Sequence, residues 1–67
     1  MPDTVRIDFL FPLGTLVRWA EEPDVRWRVI ERFYREGVVS RYVRYRLQAG
    51  TQDRMAYEID LEPWEDA

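Results

Sequence analysis

The sequence predicts a small all-β protein, a five- to six-stranded antiparallel barrel formed by one domain over residues 1–67. Three observations lead there. Apolar and polar residues alternate with a period of two in several short runs, the mark of strands with one buried face. Those runs are rich in β-branched and aromatic residues. Polar turn clusters containing Gly, Pro or Asp separate them. Closure of the sheet fits so small a chain because it protects the strand edges.

The first run is TVRIDFLF, where Val5, Ile7, Phe9 and Phe11 alternate with Arg6, Asp8 and Leu10. Lying at an edge, it is suited to adding to a partner's sheet or pairing with its own copy. Pro12 and Gly14 break it. The β-forming TLVRWA follows and closes at the turn EEPD. SRYVRYRLQ reads as the central strand, with Val43, Tyr45 and Leu47 on one face and Tyr42, Arg44 and Arg46 on the other. After the turn AGTQD, RMAYEI sets Met55, Tyr57 and Ile59 against Arg54, Ala56 and Glu58. Leu61 then sits in a tight turn, and residues 62–67 are expected to form a frayed acidic tail.

Residues 25–36 admit two readings. Wound as a helix, Trp27, Val29, Ile30, Phe33 and Tyr34 fall on one arc, with Asp24 to cap the start and Gly37 to end it, which would make the fold α+β. The apolar residues, however, are all β-branched or aromatic, which favours a strand. As a strand, Trp27, Val29 and Phe33 share a face with Glu31, and a bulge near Ile30–Glu31 would relieve that conflict.

Composition narrows the function. There is no Cys and no His, so disulfides, thiolate metal sites and the usual general base are excluded. All ten basic residues are Arg. Ser40 is the only serine and has no base beyond carboxylates. Glu58 and Asp60 could act as acid and base only in a shared cleft. The expected arrangement is instead Glu58 in solvent beside an Arg and Asp60 capping a turn. The carboxylates at 21, 22 and 24 and at 58, 60 and 62 lack calcium-loop spacing and read as solvated turns. The chain is therefore expected to be non-enzymatic, with no cofactor, no metal and no small-molecule substrate. No apolar run reaches membrane-spanning length, and the N-terminus lacks the pattern of a secretion signal, so a cytoplasmic location is expected.

A pattern-level resemblance adds to this. The stretches FPLGTLVRW, WRVIERF, YVRYRL and YEIDLEP, covering residues 11–64, resemble the small Src-homology-3-like barrels, including Tudor, KOW and related bacterial and phage modules. In that comparison YEIDLEP is similar to the short turn before a final strand, with Leu61 as its plug. The layout is also similar to type II dihydrofolate reductase barrels, in the Gly14–x–x–Val17 opening and the terminal Leu–Glu. The Val-Gln-Ile-Tyr active-site run of those enzymes has AYEI, residues 56–59, as its nearest equivalent here, without the Gln. The resemblance thus implies a Src-homology-3-like barrel, self-association and a phage or mobile-element source, and not reductase activity.

Charge is unevenly spread. Residues 1–24 carry −3, residues 25–46 carry +5 from seven Arg against Glu31 and Glu36, and residues 47–67 carry −5. With adjacent strands, Arg26, Arg28 and Arg32 would share an outer face with Arg44 and Arg46, and Tyr34 and Tyr42 would lie among them. This face is the candidate binding surface. Its Arg and Tyr content suits a protein partner or a second copy, and a nucleic acid is the alternative. A net charge of −3 and a pI near 4.8 argue against a dedicated phosphate-backbone binder. The arginines could equally pair with the chain's own carboxylates. Trp27, Phe33 and Tyr45 are expected in the core, and Trp64 as a lid on it.

Overall fold

The computed structural model describes residues 9–65. Five antiparallel strands make one sheet: β1 Leu16–Trp19, β2 Glu22–Glu36, β3 Arg41–Ala49, β4 Gln52–Tyr57 and β5 Leu61–Pro63. Their order is β4-β3-β2-β1-β5, so β4 and β5 are the edges and the ladder does not close by hydrogen bonds. The all-β expectation holds, with five strands among the described residues. The helical alternative for residues 25–36 is excluded, because they lie in β2. Among the described residues no helix is long and apolar enough to cross a membrane. The predicted strand over residues 4–11 lies mostly outside the described residues. Its described end, Phe9–Phe11, is not a strand, although it packs on the core.

Turn chemistry fixes the hairpins. Gly50 has φ 62°, in the left-handed region that glycine enters without steric cost, and closes the tight β3–β4 turn. Gly14 has φ 87° and brings the chain back onto β2, where its N–H donates to Val29 O at 2.8 Å and Val29 N–H donates to Thr15 O at 2.9 Å. A one-turn 3₁₀ segment, Glu58–Asp60, leads into β5. Asp60 O there accepts from Ala20 N–H at 3.0 Å. Glu62 and Pro63, expected in a frayed tail, belong to β5 and pair with Arg18 and Val17.

One face of the sheet wraps a core of Phe11, Val17, Trp19, Trp27, Val29, Tyr45, Leu47, Ala56 and Leu61. Trp19 and Trp27 meet edge to face at 5.9 Å, and Phe11 meets Tyr45 the same way at 5.6 Å. On β4 the residue facing the core is Ala56, while Met55, Tyr57 and Ile59 are exposed. The register explains this choice. Ala56 lies opposite the buried Tyr45 and so shares its face, while Met55 and Tyr57 lie opposite the outward Arg46 and Arg44.

β2 is unusually long for a strand, at 15 residues. Beyond Val29 its only neighbour is β3, and Arg41–Val43 of β3 have only β2. The two strands therefore leave the body as a two-stranded arm. This accounts for Cα extents of 46 × 20 × 20 Å and a radius of gyration of 13.4 Å, where about 11 Å is typical of this length. At the tip, Gly37 N–H donates to Ser40 O at 2.6 Å, and Val38 and Val39 are fully exposed.

These positions differ sharply in what they contribute. Leu47→Ala is expected to cost about 2–5 kcal/mol through the cavity it leaves. Val39→Ala, fully exposed, should stay within about 0.5 kcal/mol of the parent. Urea unfolding followed by tryptophan fluorescence compares the two directly.

Candidate functional site

The bulge in β2 decides which side chains face outward. Val29 lies opposite Leu47, yet Glu31, two residues on, lies opposite Arg46, the next residue back along β3. Ile30 is therefore the extra residue, and the alternation changes phase there. Before it, Trp27 and Val29 point to the core, and Arg26 and Arg28 point out. After it, Glu31, Phe33 and Arg35 point out, each opposite an outward residue of β3: Arg46, Arg44 and Tyr42. Arg32 and Tyr34 turn to the core side, opposite Tyr45 and Val43.

The outer face thus gathers Arg26, Arg28, Tyr42, Arg44 and Arg46, five of the six candidate residues. Tyr34 is placed on the opposite face, half-buried. Arg32 also leaves the outer face, and its guanidinium sits over the Phe9 ring at 4.6 Å. Phe33 moves the other way. Expected in the core, it lies half-buried on the outer face, because the bulge that frees the core of Glu31 carries Phe33 out with it.

Most of the body arginines are already engaged. Arg28 Nη1 donates to Gly14 O at 3.0 Å and so ties the loop before β1 to β2. Arg46 Nε lies 2.8 Å from Glu31 Oε1 across the β2–β3 pair. Arg18 and Arg26 place their guanidinium groups over the Trp64 ring, at 4.9 and 5.3 Å, and Arg18 also pairs with Glu62 at 3.5 Å. Trp64 is therefore no lid on the core. It packs on the outer sheet surface, and its backbone N–H donates to Leu16 O at 3.2 Å.

The arm differs. The Arg44 guanidinium lies over Tyr42 at 5.7 Å, and Tyr42 meets Tyr57 edge to face at the same distance. Arg35 lies opposite Tyr42 in the register. Among the described residues, none of Arg35, Arg41 and Arg44 forms an ion pair with a carboxylate. The outer arm patch is therefore Phe33, Arg35, Tyr42, Arg44 and Tyr57. Tyr57 and Arg35 were not legible as members from sequence alone, because their place depends on the bulge and on the β3–β4 register.

The carboxylates at 58 and 60 do not share a cleft. Glu58 is half-buried and accepts two hydrogen bonds at Oε2, from the Tyr45 hydroxyl at 2.5 Å and from Leu10 N–H at 3.1 Å. It does not stand in solvent beside an arginine. Phe11 N–H in turn donates to Tyr45 Oη at 3.3 Å. Asp60 belongs instead to an open depression of about 240 Å³ at the β1–β2 turn. Among the described residues no three acidic groups converge as a cation site would require. Compared with protein-family models, with curated proteins and with solved structures, the chain matches none of them.

Two measurements follow from these contacts. Burial first, and the Glu58 hydrogen bond second, push the Tyr45 hydroxyl up from 10.0 to about 12. The folded state then holds a proton that the unfolded chain loses. The associated stability is fully present below pH 10 and is lost as pH rises through 12. Unfolding free energies across pH 9–12 should fall for the parent, and the part of that fall due to this proton should vanish in Tyr45→Phe. Separately, a double-mutant cycle on Arg46 and Glu31 should return no more than about 1 kcal/mol, shrinking with added salt.

Proposed function

We propose that this chain is a non-enzymatic protein-interaction module of the small Src-homology-3-like kind, and that the outer face of its β2–β3 arm is the contact surface. The observation that carries this reading is the arm itself. Two strands run on past the end of β4 and hold Arg35 and Tyr42 beside Phe33, Arg44 and the β4 residue Tyr57 at the arm's base. A two-stranded ribbon in water is marginal, and its aromatic surface is only partly covered by the chain. Tyr and Arg are the residues most enriched where one protein grips another. The 3₁₀ turn before the last strand, with Leu61 buried behind it, supports the Src-homology-3-like reading.

Nucleic acid is the weaker reading. Arg28 and Arg46 of the candidate face are tied to the protein, the net charge is −3, and Tyr42 and Tyr57 pack edge to face rather than as parallel platforms.

Two assays on the full chain separate these readings. A photo-crosslinking residue at position 35 should capture a protein in the source cells, and Arg44→Glu together with Tyr57→Ala should abolish capture. Labelled single- and double-stranded nucleic acid should not bind at about 50 mM salt, where phosphate contacts are strong. Salt-sensitive nucleic-acid binding that disappears in Arg44→Glu would overturn the protein-interaction reading. So would protein capture that survives both substitutions.

A further inference from the structure

The two ends of the long axis differ in shape and in charge. β2 runs the length of the molecule, from the β1–β2 turn at one end to the arm tip at the other, along an extent of 46 Å. At the tip, Val38 and Val39 stand fully exposed between the strand ends that carry Arg35 and Arg41. Residues 32–44 hold four Arg against Glu36, a local charge of +3.

The other end is its complement. The open depression of about 240 Å³ there is lined by the apolar Ala20, Pro23, Ile59 and Leu61 and by Asp60, Glu62 and Arg18. Ile59 is 90% exposed, so its side chain is surface apolar area that the fold itself does not use. The turn that supplies Ala20 and Pro23 also carries Glu21, Glu22 and Asp24. Against these carboxylates stands Arg18, which is already paired with Glu62.

We propose that the occupant of this depression is the arm tip of a second copy of the same chain. Val38 and Val39 enter it, and Arg35 and Arg41 meet the acidic rim. The complementary surfaces lie at opposite ends of one molecule, so a single chain cannot bring them together. Only a neighbour can. The contact is heterologous, with a different patch on each side, and repetition gives a ring or an open chain rather than a closed symmetric pair. This goes beyond the proposed function by adding a contact at the arm tip, and it rests on the reading of the arm as the contact element.

The experiment is light scattering on size-separated full chain over a range of concentrations and salt, with two variants. Val38→Asp with Val39→Asp disables the tip. Ile59→Arg disables the depression. All three positions are highly exposed, and circular dichroism checks that both variants fold. The parent's mass should rise with concentration and fall back with salt. Each variant alone should be monomeric. An equimolar mixture of the two should reach the mass of two chains and no more, because one variant keeps its depression and the other its tip. A parent chain that stays monomeric at about 1 mM would overturn the proposal, as would a mixture that stays monomeric while the parent associates. Either result can coexist with capture of a different protein through position 35. Loss of that capture, by contrast, strikes the arm reading itself.

Discussion

The extra residue at Ile30 governs both the core and the surface of this protein. A strand of regular alternation through residues 25–36 would put Trp27, Val29, Glu31 and Phe33 on one face, and an unpaired carboxylate in a small core is costly. The bulge moves Glu31 outward, where it meets Arg46 at 2.8 Å. It also hands the core-facing positions beyond it to Arg32 and Tyr34, which mark where the core ends. The sheet narrows in two steps: β1 is lost as a neighbour of β2 at this bulge, and β4 is lost beyond Arg44, where the two-stranded arm begins.

Tyr45 does comparable work inside the body. It is fully buried, so its hydroxyl needs a partner. It finds one in Glu58, which follows β4 directly, and the same carboxylate oxygen accepts Leu10 N–H. The 3₁₀ turn and the segment before β1 are thereby fastened to the centre of the sheet. Phe9 and Phe11 pack their rings edge to face on Tyr45 and close the core from that side. A chain without disulfides can reach a stable fold at this size only if such contacts link elements distant in sequence.

Strand identity was legible because alternation and turn residues act locally. Val43, Tyr45 and Leu47 take the face expected of them, and Gly50 makes the turn its sequence implies. Which side of each strand faces inward was less legible, because register decides it. Met55 and Tyr57 are larger than Ala56, yet Ala56 is the residue buried, because the register sets it opposite Tyr45 on the core face. Tyr34 and Phe33 exchanged faces for a related reason. A bulge can be anticipated from the Glu31 conflict, but the residues after it shift as a set, and Phe33 leaves the core along with Glu31. Trp64 lies elsewhere than expected because its cation–π contacts with Arg18 and Arg26 join the segment after β5 to β1 and β2, and no local pattern announces them.

The charge pattern acquires meaning once these contacts are placed. Seven arginines in the middle third resemble a basic surface, but the body uses its share to build itself: Arg28 on a carbonyl, Arg26 on an indole, Arg46 on Glu31. Past the bulge the supply of acidic partners runs out. Glu36 is the one carboxylate left among Arg32, Arg35, Arg41 and Arg44. The positive charge that remains is displaced to one end of a 46 Å molecule, while the acidic turn lies at the other. An overall charge of −3 disfavours indiscriminate attachment to phosphate polymers, and within that total the two signs are separated along the axis. The separation follows from which arginines the body consumes: those beside a carbonyl, an indole or a carboxylate are taken up by the fold, and those past Glu31 on the arm are not.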